Sequence, residues 1–154
     1  MKRGSVRAYL VLLIAFALSG ARCSERMPRG EPKPGGDLIG TEWTLTSLHG
    51  SSLIEATEIT LYFEEAALGG SMTCNGYGGG PDSGGYGATD DGALTVFEPL
   101  AVTVQLCSEP EGVMEQEAAY IEALQRAAAY RVTADNLQIA DASGDVTLIF
   151  VRGE

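Results

Sequence analysis

Apolar and polar residues alternate in several short stretches of this chain from residue 43 onward. Residues 43–46 (Trp-Thr-Leu-Thr) and 59–63 (Ile-Thr-Leu-Tyr-Phe) follow a period of two, which places every second side chain on one face of a strand. Short stretches bounded by turn residues predict further strands at 68–74, 86–88, 93–97, 130–133, 137–140 and 146–151. Short strands with regularly spaced turns favour a meandering antiparallel sheet over parallel β-α-β units.

One helix interrupts the strands and is predicted at about 109–129. Ser108 and Glu111 have the spacing of a capping box, in which each side chain bonds to a free backbone N–H of the first turn. Apolar residues then recur at intervals of three and four, so one mostly apolar face should pack on the sheet. This face comprises Met114, Glu117, Ile121, Leu124 and Ala128, with Val113 and Tyr120 at its edge. The elements together predict an α+β fold with a mostly antiparallel sheet.

The first 37 residues differ in character from the rest of the chain. Three basic residues precede the uninterrupted apolar run 8–18, and small residues follow it, a layout typical of a secretory signal peptide over residues 1–21. The run is shorter than the roughly 20 residues that a membrane span needs. Residues 22–37 are polar and rich in proline and glycine, which predicts a flexible tether. The folded domain is therefore expected at residues 38–154.

Cys23 directly follows the expected signal peptide. Residues 19–21 (Ser-Gly-Ala) offer an ordinary cleavage site, which would make Arg22 the first residue of the mature protein. The same stretch resembles the lipobox of bacterial lipoproteins, in which a Cys is lipidated, although Arg22 stands where that motif has a small residue. Two localisations follow: plain export to the periplasm or beyond the cell, and membrane anchoring through a lipidated Cys23. No other membrane contact is expected.

Acidic residues dominate the expected domain. Three of the 21 acidic residues lie before residue 38, so 18 remain, against only Arg126, Arg131 and Arg152 among basic residues. A net charge of about −15 repels phosphate groups, so nucleic acid and anionic membrane surfaces are poor partners for the domain. With Cys23 in the leader region, Cys74 and Cys107 form the one pair within the domain. Export to an oxidising compartment predicts a disulfide between them, which would stabilise the fold by about 3 to 4 kcal/mol.

The residues that usually carry catalysis are scarce. His49 is the one histidine, and its place beside a glycine predicts a turn residue. The glycine-rich stretch 76–85 contains neither of the two common phosphate-binding patterns, G-x-x-x-x-G-K-[ST] and G-x-G-x-x-G, and no lysine follows it. Asp82, Asp90 and Asp91 surround that stretch, but their spacing is not that of a calcium loop. The sequence therefore predicts no catalytic residue, no metal ligand and no cofactor, and the Asn75–Gly76 pair is expected to form a left-handed turn.

An ordered series of segments between residues 38 and 152 resembles the META domain, the family of the heat-shock protein HslJ. The clearest are 70–77 (Gly-Ser-Met-Thr-Cys-Asn-Gly-Tyr), 103–107 (Thr-Val-Gln-Leu-Cys) and 114–117 (Met-Glu-Gln-Glu). The residues that carry the family signature are Gly70, Cys74, Asn75, Thr103, Cys107 and Glu117. The chain departs from the family at Gln105, where Met is common, and at 78–85, which is expected to be an enlarged hairpin loop.

The resemblance implies a barrel-like, or cracked-barrel, sheet with the helix packed against it. We expect side chains to fill its interior, with Trp43, Leu61, Phe63, Ile121 and Leu124 among them. Family members are exported or lipid-anchored envelope proteins associated with stress tolerance or secretion, and no catalytic activity is established for them. The resemblance thus predicts a monomeric, non-enzymatic protein that binds an envelope protein or an apolar ligand. Two alternatives are a structural, stress-protective protein without a ligand and an unrecognised hydrolase that uses surface carboxylates.

Overall fold

The computed structural model describes residues 38–80 and 82–153. The expected signal peptide, the tether and Cys23 lie outside these residues. In chain order the elements are β1 (Thr41–Leu48), β2 (Ser51–Ser52), β3 (Thr60–Glu64), β4 (Ala67–Ser71), β5 (Gly76–Gly79), β6 (Tyr86–Ala88), β7 (Leu94–Val96), β8 (Ala101–Val102), α1 (Val113–Gln125), β9 (Ala129–Val132), β10 (Asn136–Ala140) and β11 (Val146–Arg152). The sequence predicts strands at all of these positions except β2, β5 and β8.

The strands form one antiparallel sheet in the order β8-β5-β4-β3-β1-β11-β10-β9, with β2 paired to β1 and a separate hairpin of β6 and β7. In the part of the chain that the structure describes, β8 and β9 do not pair, so the sheet does not close into a barrel. The expectation of a closed barrel is therefore wrong. The reason lies in the hairpin: Ala93, just before β7, forms a bridge with Ala129 at the start of β9. The hairpin therefore occupies backbone groups of β9 that closure would need.

Apolar side chains from both halves of the sheet and from α1 fill the interior. Trp43, Leu61, Phe63 and Leu124 are at most 1% exposed, as the alternation predicts. Phe63 packs edge-on against Tyr86, with ring centroids 4.9 Å apart. Burial of each large side chain contributes about 1.5 to 3 kcal/mol. Ile121 was expected in the same core but is only partly buried.

The helix is shorter than predicted at both ends. It begins at Val113 after Gly112, whose φ of 85° is left-handed, and no side chain caps it, so the predicted capping box of Ser108 and Glu111 is wrong. A helix cannot run through a left-handed residue, which is why it starts after Gly112. At the other end the backbone N–H of Ala128 bonds to Ala140 O rather than into the helix. Strand pairing thus ends the helix before residue 129.

The first part of the glycine-rich stretch is strand rather than loop. Gly76 to Gly79 form β5, and a turn of two backbone hydrogen bonds between Gly80 and Ser83 follows. Close contact explains the glycines: a Cβ on Gly79 would lie 1.9 Å from the carbonyl oxygen of Gly84. The expected enlarged loop is therefore wrong for the first part of 78–85.

Two predictions about turns have opposite outcomes. His49 is confirmed as a turn residue, with a φ of 50° between β1 and β2. The left-handed turn expected at Asn75 and Gly76 is wrong, because neither residue has a positive φ. The side chain of Asn75 shapes that turn instead, through the hydrogen bonds described next.

Candidate functional site

A buried carboxylate holds the turn that precedes β5. Glu117, on the inner face of α1, is 3% exposed. Its Oε1 accepts hydrogen bonds from the backbone N–H groups of Cys74 (2.5 Å) and Asn75 (3.3 Å), and its Oε2 accepts one from Asn75 Nδ2 (2.9 Å). Hydrogen bonds to an ionised group are roughly twice as strong as neutral ones. Glu117 thus fastens the helix to the Cys-Asn turn.

The side-chain amide of Asn75 extends this network to the segment after β8. Asn75 Oδ1 accepts from Thr103 Oγ1 (3.0 Å) and from the backbone N–H of Gln105 (2.8 Å), and Asn75 Nδ2 also donates to Gln105 O (3.2 Å). A disulfide joins Cys74 to Cys107 beside these contacts. Residues 103–107 are therefore attached to the Cys-Asn turn by hydrogen bonds and by a covalent bond.

Five of the six signature residues lie in this one network: Cys74, Asn75, Thr103, Cys107 and Glu117. The sixth, Gly70, lies opposite Tyr77 in the pairing of β4 with β5. A Cβ on Gly70 would stand 2.0 Å from the carbonyl oxygen of Thr60, which accepts a hydrogen bond from Tyr77 Oη. The signature is therefore a structural unit that fixes β4, β5, the helix and the segment after β8 together.

Two buried tyrosines join the helix to β5 next to this network. Tyr77 Oη donates to Thr60 O (2.8 Å), so its contact with Tyr120 Oη (2.5 Å) uses the proton of Tyr120. Their rings meet edge to face with centroids 5.4 Å apart. Burial raises the pKa of Tyr77 well above its ordinary value and also raises the pKa of Tyr120. Both phenols therefore stay protonated in the folded protein at pH values where free tyrosine ionises.

Raising the pH above about 10 is expected to destabilise the fold through this pair. The unfolded chain loses the phenolic protons near pH 10 while the folded protein keeps them, so the stabilisation is complete below pH 10 and is lost above it. The free energy of unfolding should fall by up to about 1.4 kcal/mol per pH unit for each tyrosine. Urea unfolding across this pH range measures the slope, and Tyr120→Phe should make it shallower. An unchanged slope in that variant would contradict the prediction.

The hydrogen bonds of α1 rotate the helix relative to the predicted orientation. Gln116 is buried, accepting from the backbone N–H of Ile54 (2.8 Å) and donating to Thr57 Oγ1 (3.0 Å), and Glu117 is buried beside it. Glu117 was expected on the sheet-facing side, but Gln116 was not. Turning Gln116 inward as well rotates the helix and leaves Met114 and Ile121 at the margin of the core, where both are only partly buried. The helix thus presents an apolar stripe outside the core.

An apolar groove lies between this stripe and the segment 102–106. Its volume is ≈ 390 Å³, and Met72, Met114, Ala118, Ile121, Val102, Val104 and Leu106 supply its apolar lining. Val104 and Leu106 are 93% and 92% exposed, far more than any other large apolar residue in the described ranges. Apolar residues this exposed and this close together are unusual on a protein surface and often mark an interaction site. We call this feature the helix-edge groove.

Sequence reasoning did not single out the residues of the helix-edge groove. The stretch 101–106 (Ala-Val-Thr-Val-Gln-Leu) alternates with a period of two, a signal that would have identified an extended segment with Val102, Val104 and Leu106 on one side. Gln105, which departs from the family pattern, contributes its backbone to the Asn75 network and also lines the groove.

The other candidates from the sequence do not assemble into a site. Asp82, Asp90 and Asp91 are exposed, and Thr89 Oγ1 donates to Asp91 and lowers its pKa within a local turn. Among residues 38–80 and 82–153, no three His, Cys, Asp or Glu side chains are arranged to hold a metal ion. A second concavity of ≈ 520 Å³ is lined by residues of β4, β5 and β8 together with Tyr62. In the same ranges no helix is long and apolar enough to cross a membrane.

The open sheet, helix α1 docked on a Cys-Asn turn and the groove beside it define a small α+β domain stabilised by a disulfide. The chain belongs to the META domain family, whose model matches residues 36–154. The resemblance seen in the sequence is thereby confirmed at the level of the family.

Comparison with solved structures shows the same fold. The chain is similar to an NMR structure of a protein from Burkholderia xenovorans, with a TM-score of 0.60 and 24% identity over 77% of this chain and 85% of the other. It is also similar to a second NMR structure, with a TM-score of 0.55 and 24% identity over 75% of this chain and 92% of the other. No curated protein sequence matches the chain significantly.

Proposed function

We propose that this protein is a non-catalytic binding module of the bacterial cell envelope, and that it holds a segment of another polypeptide in the helix-edge groove. The proposal extends to stress tolerance or secretion as the setting in which the complex forms. The observation that carries it is the near-complete exposure of Val104 and Leu106 beside a groove of ≈ 390 Å³.

The way these two side chains are held supports a binding role. The Asn75 amide and the disulfide to Cys107 anchor the segment at both ends of the exposed pair. A loop that exposes valine and leucine without function would be expected to turn them toward the core, because burial of such a side chain is favourable by about 1.5 to 3 kcal/mol. The network instead presents them to solvent in a fixed position, which lowers the ordering cost of binding.

Two further features favour a non-catalytic, exported protein. Glu117 is the one carboxylate among the buried polar residues in the described ranges, and both of its oxygens are taken up by the Cys-Asn turn. It is therefore committed to structure and is not free to act as an acid or base. The disulfide favours an oxidising compartment, because such bonds are rare in the cytosol.

Photocrosslinking from the groove tests the proposed function. The photoreactive residue p-benzoylphenylalanine at position 106 should give one dominant polypeptide adduct in the envelope of the native host. The same residue at position 146 serves as the control, since Val146 is also exposed but lies on β11, outside the groove. The adduct from position 106 should be lost when Val104→Glu places a charge in the groove. Identical adduct patterns at the two positions, or none at position 106, would rule out this binding surface.

A further inference from the structure

The exposed apolar segment continues an edge of the sheet. β8 pairs with β5 through Val102 opposite Tyr77 and Ala101 opposite Gly78, and it is the last strand in the order of the sheet. Beyond β8 the chain keeps the same neighbour, because the backbone N–H of Thr103 bonds to Gly76 O (3.0 Å). The edge of the sheet therefore reaches Thr103, and residues 104–106 continue from it beside the Cys-Asn turn, held by the Asn75 side chain at Gln105. Six residues in extended form span about 20 Å, at the usual rise of roughly 3.3 Å per residue.

The backbone of this edge has unused hydrogen-bonding groups. The N–H groups of Thr103 and Gln105 point inward, to Gly76 and to Asn75 Oδ1. In an extended chain successive N–H groups point to opposite sides, so those of Val104 and Leu106 point away from β5. In the part of the chain that the structure describes, no hydrogen bond is made by either N–H. An open row of donors and acceptors is a template for a further strand.

The side chains of the edge face the groove rather than the outer surface. Val102 lies opposite Tyr77, whose ring is buried against Tyr120 of the helix, so the side of the edge that carries Val102 is the side of α1. Val104 and Leu106 follow at intervals of two and line the groove with Met114 and Ile121. A strand added beside this edge would place alternate side chains over the helix-edge groove.

The negative charge around the helix-edge groove favours some partner strands over others. The domain carries about 15 more negative than positive charges, and on the helix the exposed residues Glu115 and Glu122 lie beside the apolar stripe. Of the three arginines of the domain, Arg126 pairs with Glu122 (2.8 Å) and offsets that one acidic charge, while Arg152 lies over the ring of Trp43. Arg131 lies on β9, at the opposite end of the strand order from β8. A second copy of this chain would bring like charges together, whereas a cationic partner is attracted to the same surface.

We infer that the helix-edge groove binds an extended, cationic polypeptide segment, which adds to the edge at residues 101–106 as a further strand. Backbone hydrogen bonds to Val104 and Leu106 supply affinity, alternate apolar side chains enter the groove, and basic residues meet the acidic surface. The inference rests on the proposed function, since it names the chemistry of the partner at the same site.

A designed peptide tests the inference on the purified protein. The probe is a fluorescent peptide of about eight residues in which lysine and valine alternate, long enough to cover the edge. Fluorescence anisotropy should show saturable binding that weakens as salt is raised. A version that is N-methylated at alternate backbone positions should bind about tenfold more weakly for each hydrogen bond lost. A version with glutamate in place of lysine should bind more weakly still.

Two variants of the protein at Val104 test the proposed backbone hydrogen bond between the Val104 N–H and the peptide. Val104→Pro removes the outward N–H, and proline is tolerated at a sheet edge where that N–H has no partner. It should weaken binding of the lysine-valine peptide at least about tenfold. Val104→Thr keeps the N–H and nearly the same shape but adds a hydroxyl to the groove, so it should weaken binding less than Val104→Pro, and the difference between the two variants reports the N–H. Far-ultraviolet circular dichroism and the fluorescence of Trp43 check that both variants are folded.

The outcomes separate this inference from the proposed function. Equal binding of the N-methylated peptide, or no effect of Val104→Pro in a folded protein, would overturn strand addition. Equal binding of the lysine and glutamate peptides would overturn the inference that the partner is cationic. A crosslinked dimer of this chain would show that the partner is a second copy of the chain. Each of these results leaves a polypeptide in the groove. The absence of peptide binding together with the absence of any adduct from position 106 would end both proposals.

Discussion

Replacing Glu117 with alanine is expected to lower the free energy of unfolding by about 3 to 5 kcal/mol, from the unsatisfied donors that it leaves. The substitution leaves three N–H donors, two from the backbone and one from the Asn75 amide, without their acceptor. Hydrogen bonds to a charged group each contribute about 1.5 to 3 kcal/mol, and buried donors that lose a partner keep the cost of leaving water. Because small domains have about 5 to 15 kcal/mol in total, the variant should be marginally folded.

Urea unfolding followed by fluorescence measures this loss, and Trp43 is a suitable probe because it is the one tryptophan and is fully buried. Glu115→Ala is the matched control, since Glu115 is exposed on the first turn of the same helix. That variant should lose less than about 1 kcal/mol. Glu117→Gln should fall between the two, because its amide keeps one acceptor but turns an NH₂ group toward other donors. Equal losses for Glu117→Ala and Glu115→Ala would contradict the assigned role.

Breaking the Cys74–Cys107 disulfide is expected to cost about 3 to 4 kcal/mol. The bond links residues 33 positions apart, and the chain-entropy model assigns this stabilisation to a loop of that length. Urea unfolding of the double variant Cys74→Ser/Cys107→Ser, compared with the parent protein, measures the loss. Reductant should destabilise the parent to the same extent and leave the double variant unchanged. A parent protein that is unaffected by full reduction would contradict the prediction.

Intact mass with and without reductant provides the chemical control for this experiment. The oxidised domain should gain two hydrogens on reduction of one disulfide. The same spectrum tests the expectations about the N-terminus, because cleavage before Arg22 and lipidation of Cys23 give different masses.

The carboxylate and the disulfide act on the same turn, so their effects should not add. Glu117 accepts from the backbone N–H of Cys74, and the disulfide starts from the side chain of that residue. Effects at residues that share contacts typically couple by about 0.5 to 3 kcal/mol. The groove depends on both, because the turn they hold anchors residues 103–107 and with them Val104 and Leu106.

Much of the sheet could be predicted from the sequence. Alternation at 43–46, 59–63, 137–140 and 146–151 marks central strands, and each is present in the structure. The strands that were missed carry weaker signals. β5 consists of three glycines and a tyrosine, and its composition indicates a loop. Its glycines are required by the close approach of neighbouring backbones, and a contact of that kind leaves no local pattern.

The helix shows where local reasoning fails. Its existence follows from apolar residues at intervals of three and four, but its orientation does not. Glu117 lies on the predicted inner face and is buried there, but Gln116 was not expected inside. It is buried because it bonds to Ile54, 62 residues away in sequence, and Glu117 likewise bonds to Cys74, 43 residues away. The groove exists because the inward position of Gln116 moves Met114 and Ile121 outward, and no local pattern at these two positions indicates a groove.

By itself, the sequence determined the class of fold, the positions of most strands, the cysteine pair and the family, since these depend on periodicity, on composition and on the order of short segments. The tertiary structure alone decided the open edge of the sheet, the rotation of α1 and the exposure of Val104 and Leu106. The physical reason is the separation in sequence of the interacting residues. Alternation is a pattern of neighbouring residues and can be read locally, whereas a buried carboxylate binds partners from distant parts of the chain. Only when Glu117 meets the Cys-Asn turn do the helix and the sheet edge form a groove.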